Sequence, residues 1–347
     1  MWPFWLMFLL PAFGMLVPRS LPAGQARIVW LAVGTLFAVM IGLRHEVGGD
    51  WFTYFVHFQR AADLSLADAA TMPDPGHYVL NRLVAGLGGD IYTVNLIYAA
   101  ILMVGTVIFC RRQPHPWLAL LVAVPYMLIV VGMGYTRQSV ALGFALLGLV
   151  ALRDGRLRRF VLFVALGALF HKSAVLLLPI AALAASRNRW LTGALVLATT
   201  LLMYFLLLAD SAENLWTNYV AADMQSSGGA IRVAMNALPA ALLLLFRRRL
   251  VPDPEERKLW LWMAVFALLC VPLVGLASTA VDRVALYLIP LQLFVFARLP
   301  RLAKTTKTRT PLVLGIIGYY VAVQFVWLNF ATHSQYWLPY QFMPLWS

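Results

Sequence analysis

The run from Phe160 to Ala185 is apolar, is interrupted by His171-Lys172-Ser173, and is basic at both ends. Arg153-Asp154-Gly155-Arg156-Leu157-Arg158-Arg159 precedes it and Arg187-Asn188-Arg189 closes it. Membrane proteins collect Lys and Arg in their cytoplasmic loops, so one span across 160–185 would put a basic cluster on the wrong side. Two short helices turning at His171 keep both clusters on the same side. Each arm has only roughly a dozen apolar residues where a full span needs ~20, which places the turn inside the bilayer. Irregular backbone and charge persist at that depth only against protein or water. The pattern predicts a polar cavity around His171 and Lys172.

The rest of the chain agrees with a membrane setting. Of its 347 residues, 62% are hydrophobic and 12% charged, and its mean hydropathy is +0.80. Those values exclude a soluble domain and indicate an all-α polytopic helical membrane protein. A net charge of +13 would suit nucleic acid, but the basic residues lie in short loops between apolar spans. That is an orientation signal, and no nucleic-acid partner is expected. The first run, Trp2 to Val17, lacks a basic flank before it and reads as an uncleaved segment. Cys110 and Cys270 are isolated and support neither a disulfide framework nor a zinc site.

Apolar runs fall at 2–17, 28–43, 91–110, 117–134, 137–152, 160–185, 190–208, 230–246, 259–276, 284–298 and 311–330. With the 160–185 hairpin counted as two arms, the expectation is about 10–12 transmembrane segments in one integral membrane domain spanning 1–347. Twelve segments put both termini on one face, and alternating the loops assigns 20 of the 27 Lys and Arg to the cytoplasm. The termini are then outside. Residues 44–90 form the longest external stretch and 210–229 a second. Within the first, Trp51, Phe55, Phe58 and Ala62 recur at helical spacing, with Asp50, Tyr54 and His57 on another face. That suits a helix lying on the membrane surface. Pro73-Asp74-Pro75-Gly76 then turns the chain into a short helix carrying His77, Asn81 and Arg82. The tail is aromatic and uncharged around Trp337-Leu338-Pro339-Tyr340 and Trp346, as at a membrane interface.

Seven basic residues remain on the external side: Arg44, Arg60, Arg82, Arg137, Lys172, Arg232 and Arg283. Arg137, Arg232 and Arg283 each open an inward-running helix, whose free N–H groups already favour an anion. Guanidinium groups added there make bidentate phosphate ligands, and three together would form a pyrophosphate clamp. The plainer alternative is that each reaches for lipid headgroups at a span end. Asp282 precedes Arg283 and could cap its helix, while Tyr287 lies one turn on. In Arg44-His45-Glu46-Val47-Gly48-Gly49-Asp50, Asp50 is either a general base or a helix cap. Arg44 beside it would keep it ionised. His171 is either a proton carrier or a capping residue of the hairpin turn, and Lys172 there needs an anionic partner.

At these residues the sequence resembles the EpsG family of Wzy-like bacterial exopolysaccharide polymerases. The matching pieces are Arg44…Val47-Gly48-Gly49-Asp50…Tyr54, Asp74-Pro75-Gly76-His77…Leu80-Asn81, Arg137-Gln138 and Phe170-His171-Lys172-Ser173-Ala174. Gly229…Arg232, Asp282-Arg283…Tyr287 and Trp337-Leu338-Pro339-Tyr340 complete the set, which covers nearly the whole chain in order. The resemblance implies a membrane glycosyltransferase of GT-C-like architecture in the bacterial inner membrane, facing the periplasm. It would act without cofactor, metal or nucleotide sugar, and its substrates would be polyprenyl-pyrophosphate-linked oligosaccharide and the growing polysaccharide chain.

In that reading Asp50 and His171 are the catalytic candidates. Arg137, Arg232, Arg283, Arg44 and Lys172 would hold pyrophosphate. Trp51, Tyr54 and Tyr78 would stack against sugars, with His77, Asn81, Gln138 and Tyr287 as further glycan contacts. A flippase and chain-length or export proteins are candidate partners. A transporter of lipid-linked oligosaccharide and an O-antigen-type ligase are the alternatives. Transporters place their sites at the midplane, whereas the unusual charges here gather at external span ends.

The topology is open to a direct test. A Cys placed at Asp223 is expected to react with an impermeant maleimide in intact cells, and one placed at Arg156 or Arg187 is not. External labelling at Arg187 would overturn the hairpin.

Overall fold

The computed structural model describes residues 1–16, 22–185, 228–275 and 278–343, with a few isolated positions between 190 and 201. The apolar run 190–208, the cluster Arg187-Asn188-Arg189, nearly all of the external segment 210–229 and Trp346 lie outside the described residues.

Among the described residues every regular element is helical, and the pairing of Arg44 with Phe342 is an isolated bridge. The helices are α1 (Trp2–Gly14), α2 (Ala23–Gly42), α3 (Trp51–Ala62), α4 (Leu66–Thr71), α5 (Pro75–Gly86) and α6 (Ile91–Arg111). Then follow α7 (Pro116–Ala123), a π-helix (Val124–Val131), α8 (Gly132–Gly134), α9 (Thr136–Arg153) and α10 (Leu157–Phe170). A 3₁₀ turn (Lys172–Leu176) leads into α11 (Leu177–Ala185). The last four are α12 (Gly229–Leu250), α13 (Pro254–Leu273), α14 (Ser278–Phe296) and α15 (Thr306–Phe330). The chain is an all-α, multi-pass membrane protein.

Among the described residues six stretches are long and apolar enough to cross a membrane: 23–42, 91–111, 116–134, 229–250, 281–302 and 306–330. The expected run 190–208 lies outside them, and other expected segments fall short for identifiable reasons. Helix α13 spends its first turns on Glu255, Glu256, Arg257 and Lys258, while α1, α10 and α11 are 13, 14 and 9 residues long. Helix starts also reach beyond the apolar runs, because capping residues set them. Asp253 accepts from the Glu255 and Glu256 N–H groups with Pro254 at the first turn, so α13 begins at 254 and not 259. A capping box between Thr305 and Thr308 starts α15 at 306 in the same way.

Burial sorts the spans into layers. The 116–134 span is 94% buried and 281–302 is 89% buried, whereas 306–330 is only 22% buried. The first two form the centre, and α15 presents Phe325 and Val326 outward, as a lipid-facing helix does. Helix α6 packs between α2 and α9, and α10 lies on α9. The α6–α9 contact is backbone to backbone: a Cβ on Gly105 would stand 2.2 Å from the Gly143 carbonyl oxygen. Small residues at such a crossing replace the hydrophobic drive that lipid cannot supply.

The helix breaks at His171, whose backbone is extended (φ −157°, ψ 116°), as the sequence pattern predicts. Beyond it the arms part company, with α11 packing against α13. At one end of the bundle the basic residues are tied together by acids. Arg112 pairs with Asp154 at 2.9 Å, and Glu256 receives both Arg153 (3.2 Å) and Arg298 (3.0 Å). The opposite end carries α3 to α5, the start of α1 and the tail as far as residue 343. The Phe4 ring meets Tyr340 edge-on at 5.5 Å, and Tyr340 donates to the Met40 carbonyl at 2.7 Å. The tail continues along 43–48, with Gly48 N–H donating to the Tyr336 carbonyl at 2.8 Å. Gly48 has φ +109°, and a Cβ there would sit 2.2 Å from the Met133 oxygen, so this loop closes only with glycine.

Gly105→Ala should lower thermal stability in detergent by about 1–3 kcal/mol, the usual cost of overpacking, because the clash is with backbone. Gly315→Ala has nothing within 4 Å of the added carbon and should be neutral or slightly stabilising. Equal melting curves for the two variants would show that the α6–α9 contact does not matter.

Candidate active site

A polar cavity of about 290 Å³ opens at the end that carries α3 to α5. It is lined by Asp50, Tyr54, Tyr135, Arg137, Gln138, His171, Asp282, Arg283 and Leu286. Four separate stretches supply it: the start of α3, the kink into α9, the break after α10, and the first turns of α14. Six of the residues expected at a site meet here, namely Asp50, Tyr54, Arg137, Gln138, His171 and Arg283.

Asp50 stands at the N-cap position of α3, yet its side chain makes no capping hydrogen bond. The carboxylate is turned to the cavity instead. Burial raises its pKa, and Arg137 opposes that shift. The cation it feels is therefore not Arg44, as expected from sequence. Arg44 is 1% exposed and donates to the Val47 and Ile41 carbonyls at 2.8 and 2.7 Å. It braces the loop that delivers Asp50, and it is not at the cavity wall.

His171 shares the cavity with Asp50 and is not held at a separate depth. Its Nδ1 lies 2.5 Å from Ser173 Oγ, which donates onward to the Tyr287 hydroxyl at 3.2 Å. Nδ1 also accepts from the Ser173 backbone N–H at 3.4 Å, so His171 caps the 3₁₀ turn that follows it. Its Nε2 faces Gln138 Nε2 at 3.3 Å.

The three arginines do not form one clamp. Arg137 donates to Asp74 Oδ2 at 2.7 Å and lies over the Tyr54 ring, 5.7 Å from its centroid. Arg232 is not on the wall of this cavity. It forms a bidentate pair with Asp282, with contacts of 2.5 and 2.6 Å. Asp282 thus sits one turn inside α14 as an ion-pair partner, and the capping reading for it does not hold. Arg283 is exposed to the cavity and, among the described residues, has neither ion pair nor hydrogen bond.

Several expected contacts are buried behind the wall. Trp51 is 5% exposed, Tyr78 6% and His77 1%, so none offers an open face to a sugar. Trp51 stacks on Phe55 at 5.7 Å. His77 Nδ1 meets the Tyr98 hydroxyl at 2.7 Å, and Asn81 donates to the His77 carbonyl at 2.6 Å. Tyr287 is 2% exposed and reaches His171 only through Ser173. Lys172 does not line the cavity. These residues support the site from behind.

Sequence reasoning passed over Tyr135 and assigned Asp74 no role. Asp74 stands at the N-cap position of α5 in a left-handed conformation (φ 57°) without a side-chain capping bond, and an acid directly before Pro75 was the signal the sequence offered. Burial raises its pKa while Arg137 holds it down. Among the described residues no three His, Cys, Asp or Glu side chains gather as a metal site requires.

The sequence model of the EpsG family matches residues 27–342, which takes in every residue lining this cavity. The chain belongs to the EpsG family. Searches of curated proteins and of solved structures give no match. Membership in EpsG points to polysaccharide polymerisation by glycosyl transfer.

A second cavity, of about 540 Å³, adjoins the first in this EpsG protein. Its lining is mostly apolar, including Ile231, Leu238, Tyr319, Val326, Trp327 and Phe330, drawn from α12, α15 and the π-helix. Tyr135 belongs to both cavities.

The electrostatics of Asp50 make a checkable statement. Its infrared carboxyl band, identified by loss in Asp50→Asn, should titrate above the ordinary value of 3.8. Because Arg137 pulls that pKa down, Arg137→Gln should move it higher still. A downward move would mean that Arg137 does not act on Asp50.

Proposed function

We propose that the protein joins polyprenyl-pyrophosphate-linked oligosaccharide units on the extracytoplasmic face of the membrane. The observation that carries this reading is the pairing of two unlike cavities through Tyr135. One is polar and bears Asp50, His171, Arg137 and Arg283. The other is apolar and opens between α12 and α15. A prenyl pyrophosphate is itself half apolar and half anionic, and the pair of cavities matches it end for end.

In this mechanism the isoprenoid tail lies in the apolar cavity and the pyrophosphate in the polar one. An acceptor hydroxyl of the incoming unit attacks the anomeric carbon of the growing chain. The new C–O bond forms as the bond to pyrophosphate breaks, and the electron pair leaves on the phosphate oxygen. Arg283, free of any partner among the described residues, meets that growing charge, with Arg137 beside it. Asp50 takes the hydroxyl proton. Its burial-raised pKa makes it a stronger base than an ordinary carboxylate, while Arg137 opposes the rise. His171, held by Ser173 and Gln138, orients the substrate through Nε2. Attack opposite the leaving group inverts the anomeric centre.

The test is elongation of purified lipid-linked repeat units by the protein alone in detergent, without nucleotide sugar. Asp50→Asn should bind the substrate normally and fail to extend it. Arg283→Lys should lose most activity, since it keeps the charge but not the bidentate fork. The wild-type rate should fall with acid as Asp50 protonates, at a pH above the ordinary aspartate value of 3.8. Wild-type elongation by Asp50→Asn, with His171→Ala inert, would transfer the base role to His171. Transport of the substrate across the membrane without elongation would replace the whole reading with a flippase.

A further inference from the structure

Tyr135 and an ion pair stand between the two cavities. Arg232 lines the apolar cavity and Asp282 lines the polar one, and their bidentate contact joins the two walls. We infer that the Arg232–Asp282 pair is a gate, opened when the pyrophosphate of a prenyl lipid exchanges with the Asp282 carboxylate on the Arg232 fork. The inference rests on the pyrophosphate reading of the site and adds how the lipid head passes from one cavity to the other.

Two observations favour a gate over a permanent strut. First, helices α12 and α14 are already fastened one turn further in. Asn236 donates to the Ala285 carbonyl at 2.8 Å, Gln292 donates to Asn236 at 2.6 Å, and Tyr320 donates to Gln292 at 2.8 Å. All three side chains are buried. The ion pair can open without letting the helices separate. Second, Asp282 holds Arg232 through Nε and Nη2, the same edge on which a phosphate binds in parallel. A lipid head entering from the apolar side meets this fork first, and Arg283 lies next along the chain on the polar side.

The exchange also confers selectivity. A phosphate carrying more than one negative charge outcompetes the single carboxylate, whereas an uncharged prenol has nothing to offer Arg232. The carboxylate released by the exchange remains in the polar cavity. Asp282 is then a competitor for the anion site, and removing its charge should favour binding.

The experiment is calorimetric titration of the purified full chain with inorganic pyrophosphate and with farnesyl diphosphate, farnesol serving as the uncharged control. Asp282→Asn should bind both diphosphates about fivefold more tightly or better, the lower end of ordinary coupling between sites. Asp282→Glu keeps the competing charge and should stay near wild type. Equal or weaker binding by Asp282→Asn, with melting unchanged, would make the pair a strut and overturn the gate alone. Failure of Asp282→Asn to fold would do the same, since the fold could then not spare the pair. If neither wild type nor Asp282→Asn binds a diphosphate while folded, the pyrophosphate reading fails and the gate with it.

Discussion

A charge held among apolar helices must find an opposite charge, a carbonyl or water, and nearly every contact described above follows from that requirement. Arg44 is met by two backbone carbonyls. Arg137 is met by Asp74, and Arg232 by Asp282. At the other end Glu256 receives Arg153 and Arg298 together, tying α9, α13 and the end of α14. Leaving a charge there without its counterpart is costly, so the pairs at that end hold α9, α13 and α14 in register. Arg283 is different. It faces an open cavity with no partner among the described residues, and the site is organised around that exception.

The same rule divides the arginines by role. Around the cavities, Arg44, Arg137 and Arg232 are engaged by carbonyls or acids, and Arg283 faces the polar cavity open to a ligand. Asp50 is the corresponding case among the acids: it occupies a capping position without capping. A cation and a carboxylate are thereby left facing the same small volume without having neutralised each other. Around that volume Trp51 meets Tyr92, Tyr54 meets His77, and His77 hydrogen-bonds Tyr98, which fixes α3 and α5 against α6. Rigidity behind the wall holds the cavity groups at fixed separations, as a reaction between two large substrates demands.

The segment 44–90 shows how far linear pattern reaches. The period of Trp51, Phe55 and Phe58 marked α3, and the Pro73–Gly76 turn marked the entry to α5, both as found. The same pattern led to aromatic rings open to sugar, and those rings are buried. Periodicity tells which residues share a face. It does not tell whether another element covers that face, and here α3, α5 and α6 cover one another.

Composition and the spacing of apolar runs were enough, on their own, to determine an all-α multi-pass protein and the break at His171, because helix length in a bilayer and the cost of stray charge are local constraints. The resemblance to the family rested on the ordered motifs instead. The ordered motifs also named most of the cavity lining, including Asp50, Arg137, Gln138, His171 and Arg283. Only the tertiary structure decided partners. It moved Arg232 and Asp282 from a clamp and a cap to a single ion pair, placed Arg44 behind the site, and put Asp50 under the influence of Arg137. Those pairings join residues between 50 and 87 positions apart. Such contacts depend on how helices pack across the bundle, and no local period in the chain encodes that.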